Sequence, residues 1–311
     1  MVTPSTTEVW TERLPHRARQ LRPGLAYPVA MRIDLHTHSN ASDGTQSPAQ
    51  VVSAAAEADL EVFALTDHDT TAGWAEATEA AEQNGIALVR GIEISCRDDD
   101  ISIHLLGYLQ DPAAPGLLAE VERSRQSRQT RAQRVVELLS RDLPLSWDDI
   151  LEHVEPGATI GRPHIADAMV AKGIVGSREA AFAAYLHDGS PYYSSHYAPD
   201  AVMAVRLVRE AGGVAVMAHP FASGRGPVVD DSVIEAMAAA GMAGLEVHHR
   251  DHTDEQVRHG LELAASLQLF VTGSSDYHGA GKENLLGENT TDPVVLQQIE
   301  SLATGVRVLR S

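Results

Sequence analysis

The chain has 311 residues, with 43 Asp and Glu against 24 Lys and Arg and a formal net charge of -19. That balance argues against a broad grip on long nucleic acid, which needs clustered cations, yet it leaves room for a small anion held by metal. A single cysteine, Cys96, excludes an intrachain disulfide framework and a Cys-rich zinc site.

Residues 1–29 carry Arg13, Arg17, Arg19 and Arg22 without a clear apolar period and read as an N-terminal extension. Residues 1–10 lack an apolar signal core, so a cytoplasmic protein is expected, and no apolar run of ~18 residues marks a membrane helix. A strand over 31–35 then runs into the polar residues His36-Thr37-His38-Ser39. Ser47-Pro48 opens a helix to about residue 58. Strand 62–65, helix 71–83 and strand 86–89 follow, and strand 101–108 comes with no helix before it.

From 115 to about 141 the spacing predicts a long polar helix bearing Arg123, Arg125, Arg128, Arg131 and Arg134, which reads mainly as a solvated face. Shorter helices are predicted at 147–153, 163–171 and 178–186. The βα alternation resumes with helix 199–211, strand 214–217, helix 231–240, strand 244–247, helix 254–267, strand 269–272, helix 293–302 and strand 306–309. The expected organisation is a barrel first part over 30–109, a helical insertion serving as substrate cap over 110–199, and a barrel second part over 200–311. Seven or eight strands alternating with helices predict an α/β fold with parallel pairing. The missing helix before strand 101–108 makes that barrel irregular.

His36 and His38 are two apart, so an extended backbone sends them off one face toward a shared ion. His68 follows the second strand and Glu93 the third. His104 lies in the fourth strand, His219 ends the fifth, and Asp276 and His278 follow the seventh. With Asp43, these nitrogen and oxygen donors sit where a βα barrel gathers its chemistry, at the carboxyl ends of the strands. A thiolate-free set of this kind suits Mn, Fe or Zn.

The stretches Asp34-Leu35-His36-Thr37-His38-Ser39, Ser42-Asp43-Gly44, Ala64-Leu65-Thr66-Asp67-His68-Asp69-Thr70, Gly91-Ile92-Glu93-Ile94-Ser95, Ala218-His219-Pro220 and Ser275-Asp276-Tyr277-His278 together resemble the PHP (polymerase and histidinol phosphatase) superfamily. The likeness is to its stand-alone phosphoesterases. It implies a distorted βα barrel of the PHP type with an inserted all-helical subdomain, and a centre of three divalent ions, Mn first and Fe or Zn as alternatives. Residue by residue, the resemblance places His36, His38, Glu93 and Asp276 around one ion. Glu93 would bridge to a second ion held by His104 and His219, and Asp43, His68 and His278 would hold the third. Asp67 and Asp69 are expected to orient histidine N–H groups.

In Gly161-Arg162-Pro163-His164 the helix start favours anions, and the resemblance makes Arg162 and His164 substrate-phosphate contacts. Glu246 and His248 share a face by the period of two, and His252 is the expected substrate contact of that region. Catalysis is expected of Asp276, His219 and Arg162, with Asp276 or a nearby histidine passing a proton to the leaving group. The implied activity is hydrolysis of the 3′-phosphate of a 3′,5′-bisphosphonucleotide by attack of a metal-bridging hydroxide. Alternatives are a 5′–3′ exonuclease on short oligonucleotides, a histidinol-phosphatase-like enzyme, and a non-catalytic module that uses metals to bind a phosphorylated ligand. The expected partner is a small nucleotide or short oligonucleotide, with no long duplex and no membrane.

Overall fold

Strands β1 (Ile33–Thr37), β2 (Val62–Leu65), β3 (Ala87–Asp98), β4 (Ile101–Tyr108), β5 (Val214–Met217), β6 (Gly244–His248) and β7 (Phe270–Gly273) form one sheet, paired in chain order. They come from a computed structural model that describes residues 31–310, so the expected extension over 1–29 lies outside the described residues. β1 and β2 are buried at every position, as in a sheet covered on both faces. The sheet nearly closes on itself: His38 N–H donates to Tyr277 O at 2.8 Å, and Thr291 N–H to Ile33 O at 2.9 Å. The result is the irregular α/β barrel expected from sequence.

The irregularity has a specific source. β3 runs nine residues beyond the predicted end at 89, turns at Asp99 with φ 45°, and returns as β4. β4 is therefore antiparallel to both β3 and β5, while every other pair is parallel. Glu93 thus lies inside a strand rather than after one. The predicted strand at 306–309 is absent; Leu309 makes only a bridge to Leu88.

Helices α1 (Pro48–Glu57) and α2 (Trp74–Asn84) pack Val51, Val52, Ala77 and Ala81 against Phe63 and Leu65 of β2. Ser47 and Gln50 form a reciprocal capping box that starts α1, and Gly85, with φ 67°, ends α2. A second core joins Leu35, Ala64, Val89, Leu106 and Val216 from successive strands, with Leu296 and Ile299 of the last helix packed on them.

The segment between β4 and β5 is helical: α3 (Pro115–Leu139), α4 (Trp147–Leu151), α5 (Arg162–Ala171), α6 (Arg178–Ala181), a π-helical turn (Phe182–Leu186) and α7 (Ala201–Glu210). α7 packs on the barrel, whereas α3 to the π turn share a separate cluster built on Val135, Leu139, Ile150, Ile165 and Met169. After β5 come α8 (Asp231–Ala239), α9 (Asp254–Leu267) and α10 (Pro293–Leu302). Among the described residues no helix is long and apolar enough to cross a membrane.

Candidate metal centre

Two bulges aim the site. Asp34 pairs with Phe63 and Thr37 with Leu65, so one extra residue is accommodated in β1 just where His36 sits. The bulge leaves the rings of His36 and His38 fully buried, with their Nε2 atoms 3.0 Å apart. β6 has a similar shift between Glu246 and His248. That shift breaks the expected sharing of a face: Glu246 is buried and His248 is exposed. His219 and Asp276 follow the ends of β5 and β7 with φ of 29° and 54°, a left-handed backbone that turns the chain at the site.

Glu93, from the middle of β3, is the hub. Its Oε1 lies 2.8 Å from His104 Nδ1 and 3.3 Å from His219 Nε2. Its Oε2 lies 3.0 Å from His38 Nε2, 3.2 Å from His36 Nε2 and 3.3 Å from His68 Nδ1. Asp276 Oδ1 faces His38 Nε2 at 3.4 Å and His36 Nε2 at 3.5 Å. Asp43 lies 3.2 Å from His278 Nε2 and 3.8 Å from both His38 Nδ1 and His68 Nε2. All nine expected donors therefore converge. His68 stands between the Asp43 and Glu93 groups rather than with Asp43 alone.

These residues fit divalent ions. Glu93 Oε2 and the buried Nδ1 of His38, His68 and His104 have no hydrogen-bond partner, and neither does His278 Nε2. Acceptor atoms crowded this way without bonding one another are what a shared cation would satisfy. The tautomers are set from behind. His36 Nδ1 donates to Glu246 Oε1 at 2.9 Å, and His278 Nδ1 to Asp276 O at 2.8 Å, which turns each Nε2 lone pair inward.

Electrostatics follow the same map. Burial works to raise the carboxyl pKa of Glu93, but His68, His104 and His36 outweigh it and hold the group well below its usual range. Burial likewise opposes ionisation of Asp276, and Lys282, Arg225, His278 and His36 overcome it. Burial and the Arg225 charge push His219 down to about 3, and burial with Lys282 and His38 pushes His278 to about 4. Both rings are therefore neutral donors at pH 7.

Several expectations are corrected. The Asp67 carboxylate bonds serines instead of a histidine N–H: it accepts from Ser39 N, Ser39 Oγ and Ser42 Oγ, each at 2.7 Å, and fixes the loop before Asp43. Asp69 holds Ser95 and Arg128 instead. His252 uses both ring nitrogens on backbone, Nδ1 toward Val247 O at 2.8 Å and Nε2 toward Phe221 N at 3.2 Å, so neither is left for substrate. His164 is buried, accepts the Gly161 N–H at 3.1 Å and bonds the Ser42 backbone, which makes it a brace between the helix start and the loop that carries Asp43. Arg162 is tied to Leu186 O at 2.8 Å and Asp188 at 2.5 Å, yet it lines one pocket with Arg128 and Arg131. Arg128 is no solvated residue, since its Nε reaches Asp69 at 2.8 Å.

Three residues at the centre had no assigned role. Arg225 Nη2 and Lys282 Nζ hold Asp276 Oδ2 at 2.6 and 2.8 Å. Buried His249 places an unpartnered Nε2 3.6 Å from the same oxygen. The run Glu246-Val247-His248-His249 contained the signal for His249, but the bulge that selects it is not visible in a period of two.

Comparison with known proteins agrees with this centre. The PHP domain model matches residues 34–172. The 3′,5′-nucleoside bisphosphate phosphatase of Chromobacterium violaceum is 34% identical over 252 residues, covering 80% of this chain and 88% of that protein. The phosphoribosyl 1,2-cyclic phosphate 1,2-diphosphodiesterase of Eggerthella lenta is 32% identical, covering 79% and 94%. A 5′-3′ exoribonuclease of Haemophilus influenzae is also 32% identical, covering 80% and 91%. Among solved structures, a Bifidobacterium adolescentis protein assigned as a metal-dependent phosphoesterase superposes with a TM-score of 0.86 at 43% identity, covering 89% of this chain and 98% of that one. The chain belongs to the PHP family and is a metal-dependent hydrolase of phosphoester bonds.

Proposed function

We infer that the nine residues around Glu93 hold three divalent ions, Mn first among them, and that the chain removes the 3′-phosphate of 3′,5′-bisphosphonucleotides. The observation that carries this reading is the pairing of the Glu93 hub with a cationic pocket beside it. Arg128, Arg131 and Arg162 line that pocket together. Asp69 pairs with Arg128 and Asp188 with Arg162, whereas Arg131 bonds the Ser194 carbonyl. Burial with the nearby charges of Arg162 and Arg128 lowers the Arg131 pKa to about 9, so repulsion remains among the three cations. An anion there would relieve it, and a substrate with two phosphates presents one to each site. The C. violaceum relative is named for such a substrate.

Bound ions would acidify water into a nucleophile and spread the charge of the phosphoryl oxygens. The residues do the rest. Glu246 orients His36 and accepts the His219 N–H at 2.8 Å. Arg225 and Lys282 keep Asp276 a carboxylate, which favours a ligand role over proton donation. The helical residues 110–199 serve as the cap that brings the arginines over the centre.

A second reading is 5′–3′ exonuclease action on short oligonucleotides, supported by the H. influenzae relative. The test is phosphate release by Mn²⁺-loaded protein across a panel: a bisphosphonucleotide, a 3′-mononucleotide, a labelled oligonucleotide ladder and a ribose 1,2-cyclic phosphate. Preferential turnover of the bisphosphonucleotide is expected. Background release from it alongside stepwise shortening of the ladder selects the exonuclease.

A further inference from the structure

Three contacts tie the backbone of residues 41–43 to the helical segment. Thr159 N–H donates to Ala41 O at 3.1 Å, His164 bonds the Ser42 backbone, and Arg178 Nη1 donates to Asp43 O at 3.3 Å. Arg178 is itself clamped. Its Nε and Nη2 meet the two oxygens of Asp167, each at 2.6 Å, a bidentate pair that fixes the guanidinium plane. The same guanidinium abuts Gly281, where any side chain would collide with it. Gly281 closes a turn by donating to His278 O at 3.3 Å. One arginine from α6 therefore touches the segments carrying Asp43 and His278, and it meets Asp43 through the carbonyl rather than the carboxylate.

We propose that Arg178, clamped by Asp167, is a positioning residue that transmits the placement of the helical segment to Asp43 and His278. It thereby sets the affinity of the ion that these two residues share with His68. The proposal rests on the three-ion reading above. It makes the helical segment part of the metal centre, although none of its side chains is a ligand.

The test needs no turnover. Full-length wild-type and Arg178→Met chains are stripped with chelator and titrated with Mn²⁺ by calorimetry, and bound ions are counted by elemental analysis. The variant is expected to lose one ion at limiting Mn²⁺, its weakest site loosening about 10- to 100-fold while the other two hold. Arg178→Lys restores part of that affinity. Lys172→Met, in the same segment but bonded to Asp149, changes nothing. If Arg178→Met does not fold, Asp167→Asn is decisive, because it loosens the clamp and leaves the arginine in place. Wild-type affinity at every site in a folded Arg178→Met or Asp167→Asn chain overturns the proposal alone. A wild-type chain that binds no ion at Asp43, His68 and His278 overturns it together with the three-ion reading.

Discussion

Glu246 Oε1 stands 2.9 Å from His36 Nδ1, both groups fully buried, and the other Glu246 oxygen accepts the backbone N–H of His219 at 2.8 Å. One carboxylate thus sets the ring of one candidate ligand and the main chain of another. Burial works against its ionisation, but the charge and hydrogen bond of His36 bring its pKa down to about 2. Glu246→Gln keeps the shape and loses the charge, so Mn²⁺ affinity is expected to fall about 10- to 100-fold. Calorimetric titration of the variant checks this, and unchanged affinity would show that His36 needs no such partner.

The two histidines after β6 are predicted to part company. His249→Ala removes a ring facing Asp276 and is expected to lower kcat with little change in thermal stability. His252→Ala removes the link between Val247 and Phe221 and leaves buried backbone groups short of a partner, a loss of about 1–3 kcal/mol. Its KM for nucleotide is expected to stay at the wild-type value. Melting curves and steady-state kinetics on both variants separate the roles. A raised KM in a stable His252→Ala protein would restore the substrate contact that the geometry removes.

Arg131→Gln discriminates between substrates. Loss of a charge-assisted contact worth about 1.5–3 kcal/mol corresponds to a rise in KM of about 10- to 100-fold for the bisphosphonucleotide. A 3′-mononucleotide, lacking the second phosphate, is expected to show no such rise. Parallel losses on both substrates would place Arg131 outside the substrate path.

Metal loading is expected to depend on pH in a set direction. Burial alone would lower the pKa of His38, yet the Asp276 and Glu93 carboxylates beside its ring outweigh it and raise the value from 6.5 to about 9. In the ion-free chain this group contributes stability that is fully present below 6.5 and lost as pH rises through 9. An ion must displace that proton, so Mn²⁺ affinity climbs with pH across the same window. Calorimetry at pH 7.5 in two buffers of different ionisation heat is expected to reveal net proton release. Identical heats in both buffers would contradict the raised value.

The donor set was legible in the sequence because strand, turn and spacing place His36, His38, His68, His219 and His278 near strand ends. Glu93 was found as a ligand type but placed after a strand rather than within one, and His104 was placed in the right strand without the direction of that strand being legible. β3 continues through Glu93, and the hairpin that pairs Ser95 with His104 makes β4 antiparallel. Nothing local marks that continuation, since a strand of 12 residues and two shorter elements share one apolar pattern. The roles of Glu246 and His249 depend on a bulge, and bulges carry no signal in a period of two. Arg225 and Lys282 were illegible for another reason: a cation on a loop acquires its partner only when strand ends 5 and 7 are brought together.

The central claim is that Glu93 joins two groups of donors into one multinuclear site. Anomalous diffraction at the Mn edge from a Mn²⁺-soaked crystal tests it directly. The account predicts three peaks within the cradle, with Glu93 approached by two of them through separate oxygens. A single peak, or ions bound away from Glu93, would contradict it.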